Sequence, residues 1–460
     1  MAVSRTSTLE LLLDLGGPGP RTKRLEQTLR EAVRDARLRP GTALPSSRTL
    51  ARELGVSRGV VGAAYAQLGA EGYLVVRQGA AVRVADVESA PPVRDMALVP
   101  SPRYNLRPDL ADYASFPRRE WLVSLRAALR DATDEELGYG DARGSARLRV
   151  ALASYLGRTR GAVVEPERTF VTVGFANGVG AVCRVLLARG ARRIAVENPG
   201  HLAVRRIVAA SGLELVPVGV DRDGLRVDEV VAADPDAVLA TPAHHFPTTA
   251  VLARDRRTAL LDWAESRGAL VLEDDVDAEF RYDRSPVGAL QGLAPERVVY
   301  LGSTSRTLAP ALRLGWAVVP SSLVEHLIAD VRGTILAPPV LDQIALADFV
   351  SRGELDRHVR RMRLRYRRRR DVLVRALGRE LPELEVEGVA AGLHVVASLP
   401  RGWSEGAALT RARERGIALS GLREHRFARR GSGALLLGFA RSNESALRAG
   451  VRALARAMSR

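Results

Sequence analysis

Cysteine is nearly absent: Cys183 is the only one in 460 residues, which excludes an intrachain disulfide and any cysteine-built metal site. It lies in the apolar stretch from Val179 to Leu187 and reads as a buried core thiol. Lysine is just as scarce, with Lys23 alone among arginines. No apolar run reaches bilayer length, and the longest early one, Leu9 to Leu15, is broken by Glu10 and Asp14, so no membrane partner is expected. The N-terminus also lacks a signal-peptide pattern, so the expected location is cytoplasmic, and nucleoid-associated if the partner is DNA. What the chain does have is length for two or three domains, 46% hydrophobic residues for a large core, and a net charge of +16. Residues 1–85 hold 13 Lys+Arg against 7 Asp+Glu, leaving +10 on the remainder. That balance suggests a polyanion partner.

Residues 1–85 read as a small α+β domain. Leu25, Leu29 and Val33 recur at helical spacing, up to a break at Arg39-Pro40-Gly41. Ser46 or Ser47 can cap a short helix from Arg48 to Leu54, ended by Gly55. Ser57 can cap a second helix to about Gly69, with Val60, Val61, Ala64 and Leu68 inward. This is helix-turn-helix spacing. Tyr73–Arg77 and Ala81–Val84 read as two strands around Gln78-Gly79, forming a wing. The segment LPSSRTLARELGVSRGVVGAAYAQLGAEGYL, Leu44 to Leu74, resembles the winged helix of the GntR superfamily. The resemblance implies a double-stranded DNA operator as partner. It also implies contacts from Ser46, Ser47 and Arg48, from Ser57, Arg58 and Gly59 of the recognition helix, and from Arg77 and Gln78 of the wing.

Residues 86–104 carry Pro91, Pro92, Pro100 and Pro102 without periodicity and read as a linker. From 105 to 460, β-rich runs alternate with helical patterns. Strands are expected at Val163–Val173, Arg193–Glu197, Leu213–Val218, Ala237–Ala240, Leu270–Glu273, Val298–Leu301 and Leu314–Val319. The order implies an α/β domain with a mainly parallel central sheet, followed from about 350 by a small C-terminal α+β subdomain. Four segments, at Tyr139–Leu156, Thr241–Thr249 (TPAHHFPTT), Leu272–Asp283 (LEDDVDAEFRYD) and Tyr300–Pro320 (YLGSTSRTLAPALRLGWAVVP), resemble fold-type I pyridoxal-phosphate aminotransferases. The similarity is strongest to the MocR branch, which carries a GntR head.

That resemblance implies roles position by position. Asp274 matches the carboxylate that pairs with the cofactor's pyridine nitrogen. Arg313 matches the phosphate-binding arginine, with Ser303 and Ser305 beside it. Gly174-Phe175-Ala176 opens a helix whose amides suit a phosphate. Tyr139 matches a tyrosine that reaches the partner subunit's phosphate, which implies a homodimer. Elsewhere the pattern fails. His201 stands where the ring-stacking aromatic is expected, Val276 replaces a tyrosine, His245 a glutamine and Thr249 a glycine. Most consequentially, Arg306 occupies the Schiff-base lysine position. A guanidinium stays protonated and cannot attack an aldehyde, and the body holds no other lysine. No catalytic residue and no covalent cofactor are therefore expected. Non-covalent pyridoxal phosphate or another anionic small-molecule effector remains open, and Arg306 is expected to turn towards Asp274. His244 and His245 lack a third ligand at metal-site spacing, so no metal is expected.

The run from Arg357 to Arg370, RHVRRMRLRYRRRR, sets Leu355, Val359, Met362 and Tyr366 on one helical stripe among arginines. It reads either as a solvated structural helix or as a second DNA-contacting surface. Three functions stand: a DNA-binding regulator with a degenerate effector and dimerisation body, an aminotransferase with a DNA-binding appendage, or a regulator whose body is a ligand-free dimerisation scaffold.

Overall fold

The computed structural model describes residues 19–77, 80–86, 102–275, 277–282, 287–334, 337–428 and 431–459. The chain divides into two compact units, Met1–Pro100 and Ser101–Arg460.

In the first unit, α1 (Arg21–Arg34) buries Leu25, Leu29, Ala32 and Val33, a stripe at helical spacing. Helix α2 (Ser47–Leu54) begins where Ser46 Oγ accepts the Thr49 amide at 3.2 Å, and ends at Gly55 with φ +60°. Helix α3 (Arg58–Ala70) begins at Ser57, whose Oγ accepts from the Val60 amide at 3.4 Å. Both serine caps fall where the sequence suggests. The inner face of α3 differs in detail: Val61, Ala64, Tyr65 and Leu68 are buried, whereas Val60 is half-buried. Tyr65 goes in because its hydroxyl finds an acceptor, the carbonyl of Pro45 at 3.0 Å. The wing strands are shorter than expected. β1 (Leu74–Val75) and β2 (Arg83–Val84) pair antiparallel, with Leu74 opposite Val84 as the buried anchor. Gln78 and Gly79 lie outside the described residues.

The second unit opens with β3 (Tyr104–Asn105) and then builds a mixed sheet. Its strands are β4 (Thr169–Thr172), β5 (Arg193–Asn198), β6 (Glu214–Asp221), β7 (Gly224–Leu225), β8 (Ala237–Ala240), β9 (Leu270–Asp274), β10 (Val298–Ser303) and β11 (Gly315–Val318). They lie in the order β4-β11-β10-β9-β8-β5-β6-β7. The central run from β10 to β6 is parallel, while β11 and β7 are antiparallel to their neighbours. β8 and β10 are buried along their length, as strands inside a parallel sheet covered on both faces require. The expected strand Val163–Val173 is cut back to β4 because Pro166, which has no amide hydrogen, opens a short 3-10 turn.

The smaller C-terminal sheet has β12 (Glu385–Glu387), β13 (His394–Ser398), β15 (Ser420–Gly421) and β16 (Ala434–Gly438), ordered β12-β13-β16-β15. β14 (Ile417–Ala418) lies outside it and pairs in parallel with β3, over three hundred residues earlier. Leu106 and Ala111 share the core of this subdomain with Leu373, Leu437 and Val451. The subdomain is therefore built from both ends of the second unit. The 27-residue helix Glu354–Glu380 buries Leu355, Val359, Met362 and Tyr366, the stripe read from sequence. Cys183 is fully buried, and burial pushes its thiol up to about 12.

Candidate functional site

Two sets of side chains matter, one in each unit. In the first unit, Ser46, Arg48, Ser57, Arg58, Gly59 and Arg77 are exposed and Ser47 is half-buried. The outward face of α3 is nearly stripped of side chains: Gly59, Gly62, Ala63 and Ala66 leave only Arg58 and Gln67 with reach. A Cβ at Gly62 would meet nothing within 4 Å, so packing does not require the glycine there. Such a helix costs about 1 kcal/mol per glycine relative to alanine. What it gains is a backbone that another surface can approach closely. Gln67 is held by Glu71 at 2.8 Å, while Arg58 has no partner among the described residues.

In the second unit the residues gather at the carboxyl ends of β5, β8, β9 and β10, where open α/β sheets place their ligands. The acidic run Glu273-Asp274-Asp275 splits by strand alternation. Glu273 takes the amides of Leu290 and Gln291 at 2.8 and 3.0 Å, and burial with the nearby Asp275 charge raises its carboxyl to about 7. Asp275 receives a bidentate Arg160 at 2.6 and 2.8 Å and the Tyr300 hydroxyl at 2.5 Å, all of it buried. Asp274, on the opposite face, is buried and is not an unpaired group.

Arg306 sits in the tight turn after β10, 9% exposed. Its direct ion pair is with Asp277 rather than with Asp274. Its Nε lies 3.5 Å from Asp277 Oδ1, and its Nη1 is buried without a hydrogen bond. Asp277 opens the turn Asp277–Glu279, its carbonyl accepting the Phe280 amide at 3.1 Å, and its carboxylate also stands 3.9 Å from His244. A Cβ at Gly392 would collide with the His244 ring, so β13 and the β8 loop are pressed together there.

Histidines crowd the same end. His201 caps the helix Leu202–Ala210, its Nδ1 accepting the Ala203 amide at 3.2 Å, and its ring lies 5.2 Å from that of Phe246. His394 and His425 each meet Phe246 edge-on at 5.1 Å. Burial first, then the neighbouring Arg306 charge, depresses His201 and leaves it near 4. Burial pulls His394 to about 4 and His244 to about 3. All three are neutral at pH 7. His245 is turned into the strand ends, bonded to Thr248 Oγ1 at 2.7 Å and 3.3 Å from Glu197.

The remaining positions are less tightly joined. Ser303 is buried and its Oγ accepts the Ser305 amide at 3.4 Å. Gly174, with φ +76°, precedes the helix Phe175–Ala188. Arg313 is exposed, without a partner among the described residues, and held at φ +53°, a left-handed conformation costing a non-glycine residue on the order of 1–3 kcal/mol. Tyr139 is fully exposed on the rim of a cleft of about 770 Å³ lined also by Asp141, Arg149, Arg332 and Gln343, and makes no contact with the Arg306 cluster. Val276 lies outside the described residues. Among those residues no group of His, Cys, Asp and Glu could hold a metal ion. Asp277, His244, His394 and Phe246 were not singled out for this cluster from sequence. Asp277 and Phe246 stand inside the matching segments, but His394 carries no local signal.

Residues 112–454 match the family Aminotransferase class I and II, and residues 21–84 match Bacterial regulatory proteins, gntR family. The HTH-type pyridoxine biosynthesis transcriptional regulator PdxR of Corynebacterium glutamicum is 36% identical, over 92% of this chain and 93% of that protein. The probable rhizopine catabolism regulatory protein MocR of Rhizobium meliloti is 31% identical, over 96% and 95%. Among solved structures, LysN, the α-aminoadipate aminotransferase of Thermus thermophilus, superposes with a TM-score of 0.70 at 26% identity, covering 77% of this chain and 92% of that one.

Proposed function

The chain belongs to the aminotransferase class I and II family, with a gntR-type head in the MocR-type architecture, and we propose that its body is a non-catalytic aminotransferase fold kept for sensing and subunit pairing. It is a DNA-binding transcription regulator. In this reading α3 enters the major groove with Ser57, Arg58 and Gly59 towards base edges. Ser46, Ser47, Arg48, Arg77 and Gln78 hold phosphates and set the register without reading sequence.

One observation supports the reading of the body: Arg306, which the motif resemblance aligns with the Schiff-base lysine, is a buried arginine ion-paired to Asp277. The fold family usually takes pyridoxal phosphate, and the residues here do not fit a covalently held one. The guanidinium is not a nucleophile, and its orphaned Nη1 is a hydrogen-bond donor awaiting an acceptor. His201, where a stacking ring is expected, is already engaged as a helix cap and against Phe246. An anionic effector held without a covalent bond suits the donors that remain, Arg306 and Arg313. The strained backbone at Arg313 favours this over a ligand-free scaffold, because nothing else in the described structure uses that side chain. Tyr139, exposed on a cleft away from the cluster, suits a residue that serves a second subunit, and so a two-fold homodimer.

The test is to mix the purified chain with pyridoxal phosphate. No Schiff-base absorption band and no transamination should develop. Arg306→Lys alone should restore little, because Val276 and His201 leave the ring poorly held. A lysine variant that binds the cofactor tightly and catalyses overturns the reading. Thermal melts against vitamers, amino acids and phosphorylated metabolites identify the effector, and a monomer in sedimentation at micromolar concentration rejects the dimer.

A further inference from the structure

The helix Glu354–Glu380 divides its arginines into two sets. The inward set is consumed by the fold. Arg363 donates to the Glu279 carbonyl at 2.7 and 2.9 Å, and Arg365 and Arg369 reach Asp112 at 3.4 and 3.0 Å. The outward set is Arg360, Arg361, Arg367, Arg368 and Arg375, all exposed, with Leu364 among them at 62% exposure. At 3.6 residues per turn these six positions fall in an arc of roughly 120°. The stripe runs on the order of 22 Å, from Arg360 to Arg375 at 1.5 Å per residue.

None of the five arginines in it has an acidic partner among the described residues. Arg361 makes only a long bond to His358 Nδ1 at 3.4 Å. The acids nearest in sequence are spent elsewhere: Glu354 on Arg357, Asp356 on Arg158, Asp371 beside Arg370, and Glu380 on Arg379. A folded chain that spends Arg363, Arg365 and Arg369 on its interior, yet leaves five arginines on one straight face interrupted only by Leu364 and by Asp371, which pairs with Arg370, presents a strongly cationic face to an anion. The surface is long, rigid and regularly charged, which matches a linear polyanion rather than a small ligand. Guanidinium forks suit phosphate oxygens.

We propose that this stripe holds the sugar-phosphate backbone of duplex DNA flanking the operator. The inference rests on the DNA-binding function of the head and adds a second, sequence-blind contact from the body. Along an axis of that length, duplex DNA offers on the order of one charge per 1.7 Å, more than enough for five arginines. The contact lengthens the footprint and steepens the salt dependence without changing which sequence is read.

The experiment uses the full-length chain and a duplex that it selects from a random pool. Affinity is measured against salt on the selected core alone, and on the same core extended by several helical turns on each side. In the variant, Arg360, Arg361, Arg367 and Arg368 are each replaced by glutamine, which removes charge while keeping helix propensity. A control variant removes the same charge at the exposed Arg206, Arg254, Arg448 and Arg452. On the long duplex the stripe variant should lose roughly 3–4 units of salt slope, about 0.9 per phosphate released, and at least tenfold in affinity near physiological salt. On the short duplex it should match the native chain, and its melting midpoint should be unchanged. Equal slopes for variant and native chain on the long duplex overturn the proposal, including the case where the stripe serves an acidic protein. Equal losses on both duplexes, or an equal loss in the control variant, overturn it as well, since the effect is then one of fold or net charge. If the native chain fails to bind even the short duplex, the reading of the head has failed, and with it the contact proposed here.

Discussion

Arg58 and Arg306 are the same residue type in opposite surroundings. Arg58 stands at the start of α3 on a face bared by Gly59, Gly62, Ala63 and Ala66, with water around it. Arg306 is 9% exposed, walled by Asp277 and a group of neutral histidines. On the exposed helix, charge is cheap to hold and its use depends on what arrives. At the strand ends, a charge out of water must be answered by the protein itself. The first unit thus keeps its chemistry open, and the second has largely closed around its own.

The largest effect should come from opening the closed side. Arg160→Ala leaves Asp275 buried without its bidentate partner, and the Tyr300 hydroxyl does not replace a cation. We expect a loss of about 3–5 kcal/mol in the second unit, read as a lower denaturant midpoint, while operator binding by any folded protein persists. A variant as stable as the native chain would mean that the interior tolerates an unanswered carboxylate, and the contrast between the units would collapse.

On the open side, Arg58→Ala should leave stability within about 0.5 kcal/mol and weaken operator binding by roughly 1–3 kcal/mol, with a much smaller loss on random duplex. Arg48→Ala should weaken both alike. Equal losses for Arg58→Ala on the two duplexes would remove it from the base-reading role.

The smallest effect sharpens the comparison by pH. His244 is held near 3 by burial, below the value near 6.5 of an unfolded histidine. Its neutral form therefore stabilises the fold fully above pH 6.5, and that contribution is lost as pH falls towards 3, because the unfolded chain takes up the proton first. At pH 5.5 the loss is between about 1 and 2 kcal/mol. His244→Gln should flatten the pH dependence of the second unit's midpoint between 7.5 and 5.5 by that amount, and leave the first unit's unchanged. An unaltered slope would show that the histidine is hydrated and the pocket more open than described.

Local signals account for much of what was legible. The break at Pro166 was passed over inside the expected strand Val163–Val173, whereas the serine caps at Ser46 and Ser57, the break at Gly55 and the β-rich runs of the central sheet depend on neighbours within a few residues. So does the chemical consequence of Arg306, since no conformation turns a guanidinium into a Schiff-base nucleophile. The ends of the wing strands and the inward turn of Tyr65 were not legible, because each depends on a partner elsewhere: Val84 for Leu74, the Pro45 carbonyl for the tyrosine hydroxyl.

Sequence by itself determined the two-unit plan, the type and order of most elements, and the absence of any lysine beyond Lys23. Tertiary structure decided which carboxylate answers Arg306. Strand alternation turns Asp274 away from Glu273 and Asp275, and the turn after β9 delivers Asp277 to the arginine. It also decided that β3 completes the C-terminal subdomain through β14, and that five arginines of one helix have no acidic partner among the described residues while Arg363, Arg365 and Arg369 are used by the fold. Such pairings join residues distant in the chain, and their energy depends on burial and approach, which no local pattern encodes.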